Sequence, residues 1–305
     1  MKKMSLTLTC AGFATLVLLG ATPSRVQAFS LTQSNPLKIM PLGDSNTRGK
    51  GEDLAGYRDD LWMLLNDSGF NVDFVGSATT NAPTSWNQPY PFDLNHQGHG
   101  GYAVSGDTYP EGGDLMSNID NWLNAATPDV ILLMAGTNDF IFQNTTTAQE
   151  TIDELGTLID KIFAWSSDVH LLISTIAPLA PNEGLAQEAA LYNNMIPGLL
   201  GSDRYQQKNL SFVDTRNLFT LNDLYDGVHF TPQGYSTLAN AWFDGIVSAS
   251  NLNQPPSGPI VVETPGSDDS VSIPEPTSVL GVLAVGLVGA GSLRKRRHVS
   301  PLSSR

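Results

Sequence analysis

Short, mainly apolar runs alternate along this chain with longer segments in which apolar residues recur at helical spacing. The runs are bounded by Gly, Asn, Asp or Pro, a pattern typical of strands that are buried on both faces of a parallel sheet. The predicted strands are 37–42, 72–75, 130–134, 171–176 and 210–213.

The segments between these runs predict the helices 57–66, 114–125, 147–165 and 185–199. A last helix should follow Phe230, with Thr231 as its N-cap and Pro232 in its first position. Its inward stripe is predicted to be Leu238, Ala241 and Trp242. This alternation predicts an α/β protein, a three-layer α/β/α sandwich with a five-stranded parallel sheet, in one domain at 29–250.

One long stretch, 76–108, breaks the alternation and is rich in Pro, Asn, Gly and aromatic residues. Loops of this length in compact domains often have a function. The aromatic side chains could stack on sugar rings, or they could form a small core for the loop itself. The candidate substrate contacts in this loop are Trp86, Tyr90, His99 and Tyr102.

The two ends of the chain differ from the domain. Residues 1–28 combine Lys2 and Lys3 with an apolar run and a small-residue cleavage site ending at Ala28, which predicts a secretory signal peptide. The only cysteine, Cys10, lies inside this signal, so the mature protein should have no disulfide. Residues 251–273 are rich in Pro, Gly, Ser and Asp and predict a flexible linker.

The last segment, 274–305, has three parts: Pro-Glu-Pro, an apolar run at 279–293 and a basic cluster at 294–297. The apolar run is short for a membrane span, which needs about 20 residues, and a simple anchor helix is one interpretation. The three-part order resembles the PEP-CTERM sorting signal of bacterial exported proteins. That resemblance implies processing by an exosortase, removal of the tail, membrane association only through this segment, and a location at the cell surface, in the periplasm or in an exopolysaccharide matrix.

The net charge of −14 is unevenly distributed, because half of the 16 Lys and Arg residues lie at the two ends. Residues 29–273 contain eight basic and 29 acidic residues, a net charge of −21. Such a surface repels nucleic acid and anionic lipid. The charge therefore favours an uncharged substrate and excludes a nucleic-acid partner.

A hydroxyl residue follows the first predicted strand, in the stretch Met-Pro-Leu-Gly-Asp-Ser-Asn-Thr at 40–47. Ser45 would lie at the carboxyl edge of the sheet, where α/β folds bind ligands. Backbone N–H groups at the start of a following helix could stabilise negative charge beside it. The alternative interpretation is that Asp-Ser only caps this helix.

A nucleophilic serine needs a base, a group that orients the base, and donors for the oxyanion. His229 lies in a short loop before the last helix, three residues after Asp226. The Asp226 carboxylate can therefore reach the His229 Nδ1–H and leave Nε2 to face Ser45. The alternative is a helix-entry loop in which both side chains only satisfy backbone groups. His170 opens a predicted strand, so we expect it to be structural.

Oxyanion donors are predicted from two further blocks. Asn138, in Ala-Gly-Thr-Asn-Asp after the third predicted strand, can donate its carboxamide N–H or cap the next helix. Gly-His-Gly-Gly-Tyr at 98–102 allows a backbone N–H to approach the reacting centre. His96 and His99 have the spacing of a metal pair but lack further ligands, so we expect no metal and no other cofactor.

Together, these blocks resemble those of the SGNH (GDSL) hydrolase superfamily, in the same order, over 37–244. The resemblance implies a flavodoxin-like fold in which Ser45 is the nucleophile, His229 the general base and Asp226 the acid that orients it. It also implies an oxyanion hole made by the N–H groups of Ser45 and Gly101 and the Asn138 side chain. Asp44 is a further candidate for substrate binding.

Two positions depart from the family pattern. Asn46 stands where the family usually has an aliphatic residue, and Val-Ser-Gly-Asp-Thr at 104–108 makes Gly106 a rival oxyanion donor. We prefer Gly101, because Gly-His-Gly-Gly-aromatic is similar to the acetylxylan-esterase branch of family-three carbohydrate esterases. This similarity predicts an exported serine esterase that removes O-acetyl groups from extracellular polysaccharide. The alternatives are a lipid or aryl esterase of the same superfamily and a catalytically silent polysaccharide-binding protein.

Overall fold

A parallel sheet of six strands runs through the part of the chain that the computed structural model describes, which is residues 29–31, 34–52, 54–83, 88–89, 91–106, 112–143, 146–180 and 182–250. The order along the sheet is β2-β1-β4-β5-β6, and β3 pairs with the carboxyl end of β1. The strands are β1 (Leu37–Gly43), β2 (Val72–Phe74), β3 (Gln97–Gly98), β4 (Val130–Met134), β5 (His170–Ser174) and β6 (Leu210–Val213).

Helices cover both faces of this sheet. On one face α2 packs against α7, and on the other α5 packs against α3 and α6. The helices are α1 (Ser45–Arg48), α2 (Arg58–Asp67), α3 (Leu115–Ala126), α4 (Thr137–Phe142), α5 (Ala148–Trp165), α6 (Glu183–Leu200) and α7 (Pro232–Ala249). The predicted three-layer α/β/α sandwich is confirmed.

Several boundaries differ from the predictions for physical reasons. Strand β3 has only two residues and exists because it pairs with Leu42 and Gly43, a contact that no local pattern encodes. Strand β5 ends at Ser174 because the next residues leave the sheet, with both backbone groups of Ile176 bonded to the Asn193 side chain. Helices α1 and α4 are too short to show a helical period, and the sequence indicated them only through the possible caps at Asp44-Ser45 and Asn138.

The start of α7 matches its prediction. Thr231 accepts a hydrogen bond from the Gly234 N–H, and Pro232 occupies the first position, where its missing N–H has no cost. Leu238 and Trp242 are fully buried against the core.

The two ends of the described domain meet at the amino edge of the sheet. Phe29 forms a parallel bridge with Ser250, and its ring contacts the His170 ring edge-to-face at 4.8 Å between centroids. His170 is buried at the start of β5, so its predicted structural role fits its position. This leaves the opposite, carboxyl edge of the sheet for the candidate site.

At the carboxyl edge, β1 leaves no room for a side chain on its last residue, Gly43, which pairs with Met134 of β4. A Cβ atom on Gly43 would lie 2.2 Å from the Met134 carbonyl oxygen, so only glycine fits at this position. The turn that carries Ser45 begins directly after Gly43, and the turn that carries Asn138 begins directly after Met134. The absence of a side chain at Gly43 therefore lets the two turns lie side by side.

The long loop is tied to the first turn by a buried arginine. The Arg58 guanidinium donates hydrogen bonds to the carbonyl oxygens of Thr47 at 3.1 Å, Arg48 at 2.9 Å and Asn81 at 2.8 Å. A delocalised cation with five donors suits such a cluster of carbonyls.

Among the described residues, no helix combines the length and apolar character that a membrane crossing requires.

Candidate active site

Ser45 is the first residue of α1, and its side chain is not the cap of that helix. The Asp44 side chain fills the capping role, because its Oδ1 accepts a hydrogen bond from the Asn46 N–H at 2.8 Å. The interpretation of Asp-Ser as a helix cap is therefore confirmed for Asp44 and not for Ser45. Asp44 is fully buried, so its predicted contact with substrate stays a prediction.

The His229 ring joins Ser45 to Asp226. The Ser45 Oγ lies 2.8 Å from His229 Nε2, and His229 Nδ1 lies 2.7 Å from Asp226 Oδ2. An ionised carboxylate can only accept, so Nδ1 carries the ring proton and Nε2 is left as the acceptor for the Ser45 hydroxyl. The sequence spacing predicted this contact, and the structure brings the three side chains together.

The Asp226 carboxylate is held by its own loop. Its Oδ1 accepts hydrogen bonds from the N–H groups of Val228 at 3.1 Å and His229 at 2.8 Å. Burial alone would raise the pKa of Asp226, but the donors and the nearby His229 ring outweigh it and lower the pKa to about 2. Asp226 is therefore ionised at any pH at which the site would work.

Asn138 lies near the start of α4 and holds the glycine-rich part of the long loop. Its Nδ2 donates to the Tyr102 carbonyl oxygen at 2.8 Å. An amide nitrogen carries two hydrogens, so this bond leaves Asn138 a second one to donate. The neighbouring Gly101 has a φ of +81°, which favours glycine. The structure thus places two of the predicted oxyanion donors in adjacent segments.

Asp139 holds the same loop two residues further along, at Val104. The sequence analysis did not assign this residue to the site. Both of its carboxylate oxygens accept from the Val104 N–H, at 3.1 and 3.0 Å. Burial raises the pKa of Asp139 to about 7, although the Val104 donor opposes that rise. The Gly-Thr-Asn-Asp block at 136–139 pointed to this part of the chain, but the sequence does not show which group its last residue, Asp139, binds.

The rival donor, Gly106, lies elsewhere. It is exposed and packs beside Gln143, whose Nε2 donates to the Ser105 carbonyl oxygen at 2.6 Å. Gln143 follows the last residue of α4, whereas Asn138 is near its start. Five residues, or about 7.5 Å along the helix axis at 1.5 Å per residue, separate Asn138 from Gln143.

The described loop aromatics contact one another. The His99 ring stacks on Trp122 of α3 at 4.4 Å and on Tyr102 at 4.9 Å between centroids. This arrangement favours the interpretation that these rings form a small core for the loop. Trp86 and Tyr90 lie outside the described residues, so their proposed sugar contacts stay predictions.

Both ring nitrogens of His96 are engaged. Nε2 lies 3.0 Å from the Thr80 carbonyl oxygen, and Nδ1 accepts from the Gly98 N–H at 3.0 Å. Burial and the charge of Arg58 lower the pKa of His96 to about 3, which keeps the ring neutral. No group of three or more potential metal ligands occurs within the described part of the chain.

Two further residues beside the catalytic candidates were missed. Asn46 follows Ser45 in the serine turn and is buried. The sequence showed only that this residue departs from the family pattern. Tyr225 is 46% exposed, with its ring centroid 6.1 Å from that of His229. Its position directly before Asp226 was a usable signal for a residue at the mouth of the site.

Comparisons with known proteins identify the family of the chain and several relatives. The family model of the GDSL-like lipase/acylhydrolases matches residues 39–242. The chain belongs to this family. A multidomain esterase of Ruminococcus flavefaciens is 29% identical over 246 residues, which are 76% of this chain and 31% of that protein. A putative endoglucanase X of Acetivibrio thermocellus is 34% identical over 132 residues, 42% of this chain and 54% of that protein. The chain thus spans about a third and about half of the length of these two relatives.

Several solved structures of single domains are similar to this chain in fold and in sequence. A family 3 carbohydrate esterase of Clostridium thermocellum is 34% identical, with a TM-score of 0.57, and the match covers 70% of this chain and 96% of that one. A family 3 carbohydrate esterase of Talaromyces cellulolyticus is 25% identical, with a TM-score of 0.59, and the match covers 70% and 97%. An acetyl esterase mutant with an acetate ion gives the same values.

Proposed function

We propose that the domain is a serine esterase in which Ser45, His229 and Asp226 form the catalytic triad. The observation that carries this proposal is the continuous chain of hydrogen bonds, 2.8 Å from Ser45 to His229 and 2.7 Å from His229 to Asp226. Such a chain lets the imidazole take a proton from the hydroxyl while the carboxylate stabilises the resulting imidazolium.

The reaction follows from this arrangement. His229 Nε2 takes the Ser45 proton as Oγ attacks the ester carbonyl carbon, and the same nitrogen then protonates the departing alcohol. The Ser45 acyl-enzyme that remains is attacked by a water molecule, whose proton passes to His229 Nε2. The carboxylic acid is released, and Ser45 regains its proton from the imidazolium. The protein groups supply each proton transfer in both halves of the cycle.

The oxyanion would be held by the N–H groups of Ser45 and Gly101 and by the Asn138 carboxamide. Support for Gly101 over Gly106 comes from the Asn138 bond to Tyr102, which ties the Gly101 segment to the start of α4. Gly106 packs instead beside Gln143, past the end of that helix. Donors that are already fixed in place stabilise developing charge more effectively than mobile ones.

We propose O-acetyl groups on an extracellular polysaccharide as the substrate. Two solved relatives are carbohydrate esterases, and another is an acetyl esterase with an acetate ion. The net charge of −14 favours an uncharged substrate over an anionic lipid surface. The exposed Tyr225 ring beside His229 could stack on a sugar while its ester reaches Ser45.

We also propose that the protein is exported and processed through its C-terminal segment. The predictions for the signal at 1–28, the linker at 251–273 and the sorting segment at 274–305 all lie outside the described residues. The support for this proposal is the sequence itself: the charged and apolar start of the chain, and the order of Pro-Glu-Pro, an apolar run and a basic cluster at 274–305.

A substrate panel with a matched variant tests the proposed activity. The protein should release acetate from acetylated xylan and hydrolyse p-nitrophenyl acetate, and Ser45→Ala should abolish both activities while keeping the wild-type unfolding temperature. Activity confined to esters of long acyl chains would instead support a lipid esterase. Absence of hydrolysis on every ester would contradict the enzyme proposal and support a silent polysaccharide-binding protein.

A further inference from the structure

Asn46 joins the serine turn to the loop that carries His229. The residue is 1% exposed, its Nδ2 donates to the Val228 carbonyl oxygen at 3.2 Å, and its Oδ1 accepts from the Tyr235 hydroxyl at 3.4 Å. The Val228 carbonyl can only accept, which fixes the orientation of the amide. Neither contact is needed by α1, since Asp44 already caps that helix.

The carbonyl that Asn46 binds belongs to the peptide unit between Val228 and His229. The N–H of the same unit donates to Asp226 Oδ1 at 2.8 Å. This peptide plane is therefore held on one side by the triad carboxylate and on the other by the residue next to the nucleophile. Since the plane leads directly into the His229 Cα, its orientation sets the direction of the backbone from which the imidazole extends.

We propose that Asn46 is a positioning residue that keeps the His229 imidazole within hydrogen-bond distance of Ser45. The residue after the nucleophile is bonded to the residue before the base, so a second bridge runs beside the Ser45–His229 hydrogen bond. An aliphatic side chain at position 46 would fill the space but could not make this bridge. This inference rests on the proposed triad and adds to it a residue that does not contact the substrate.

Tyr235 completes the bridge from α7. Its hydroxyl accepts from the Lys50 N–H at 3.3 Å and is buried, and its ring packs edge-to-face on Phe230 at 5.5 Å between centroids. The hydroxyl therefore holds the Asn46 amide from a fixed point on the last helix. We expect its removal to loosen Asn46 without removing the bond to Val228.

The test is Asn46→Leu in the full chain, with p-nitrophenyl acetate as the substrate. We expect kcat to fall roughly 5- to 20-fold with KM nearly unchanged, because positioning of the base is lost while the ester site is intact. Tyr235→Phe should lower kcat by a smaller factor, about two- to threefold. The downfield proton NMR signal of the His229 Nδ1–H should broaden or shift in Asn46→Leu.

Asn193→Leu is the matched control, because Asn193 is also a buried asparagine that bonds one backbone N–H and one carbonyl, both of Ile176. It should lower the unfolding temperature and leave kcat and the His229 signal unchanged. Equal losses of kcat in both asparagine variants, or an unchanged kcat in Asn46→Leu, would overturn the proposal. If Asn46→Leu does not fold, Tyr235→Phe decides, and an unchanged kcat and His229 signal there would overturn it.

The NMR signal also separates this inference from the activity proposal. An inactive wild-type protein would contradict the esterase function, yet the His229 signal could still be compared among the variants. A wild-type enzyme with normal activity and an unaltered signal in Asn46→Leu would contradict only the role of Asn46.

Discussion

The candidate site has two halves that are built in different ways. The proton-transfer half consists of Ser45, His229 and Asp226, and the oxyanion half consists of the 101–104 segment with Asn138 and Asp139. In the first half, the bonds that orient the base lie within one loop, with Asp226 three residues from His229. In the second, the bonds from α4 to the loop span 36 and 35 residues.

This difference shows which part of the site depends on the rest of the fold. Both Asp226 contacts to His229 lie within one tight loop, whereas the contact with Ser45 requires that β1 and α7 be correctly placed and is bridged by Asn46. The 101–104 segment belongs to no strand or helix, so its shape depends on backbone bonds to residues 113–116 and on the side chains of Asn138 and Asp139. Substitutions in the first half should therefore affect chemistry alone, whereas those in the second should affect chemistry and loop order together.

The largest effect is expected from the proton-transfer half. His229→Ala should lower kcat at least about 10³-fold, because no base remains for Ser45, while the unfolding temperature stays close to that of the wild type. Steady-state kinetics with p-nitrophenyl acetate and thermal unfolding measure both quantities. A loss below tenfold would show that another group takes the Ser45 proton.

Asn138→Ala should lower kcat about 10²- to 10³-fold, the usual cost of losing one oxyanion donor. It should also lower the unfolding temperature, because the Tyr102 carbonyl loses its donor. This double effect distinguishes the oxyanion half from the proton-transfer half. A normal kcat with lowered stability would restrict Asn138 to a structural role and contradict its place in the oxyanion hole.

Asp139→Asn should change how stability depends on pH. The pKa of Asp139 is about 7 in the folded protein and about 4 in an unfolded chain, so ionisation destabilises the fold as pH rises from about 4 to about 7. The asparagine variant lacks this loss while keeping an acceptor for the Val104 N–H. Its unfolding temperature relative to wild type should therefore increase across this range and level off above it.

Thermal unfolding of both proteins from pH 4 to pH 8 measures this difference. The contributions of His96 and of His99, whose pKa is lowered to about 4 by burial and by the charge of Arg48, are common to both proteins and cancel in the comparison. A difference that stays constant with pH would mean that Asp139 does not titrate in this window.

The smallest effect is expected from the stacked loop aromatics. His99→Phe keeps the ring contacts with Trp122 and Tyr102, so kcat/KM for an acetylated xylo-oligosaccharide should change less than about threefold.

Tyr225→Ala, in contrast, should raise KM for that oligosaccharide several-fold and leave p-nitrophenyl acetate hydrolysis unchanged. The opposite ranking of the two variants would move the sugar contact from Tyr225 to His99.

The sequence predicted the features that local patterns encode. Apolar runs located five of the strands, Thr231 and Pro232 located the start of α7, and the Asp-x-x-His spacing located the contact between Asp226 and His229. Contacts between distant segments were not predictable in this way. The pairing of β3, the burial of Asp44 and the bridge made by Asn46 all depend on residues far away in the chain.

Modification of Ser45 tests the central claim most directly. A fluorophosphonate should label Ser45, and trypsin digestion with mass spectrometry should find the label in the peptide 39–48. The loss of ester hydrolysis should be proportional to the fraction of Ser45 that is labelled. The same reaction should be at least about 10²-fold slower in His229→Ala, because the hydroxyl has lost its base. Labelling at another residue, or hydrolysis that persists after Ser45 is fully modified, would contradict the account.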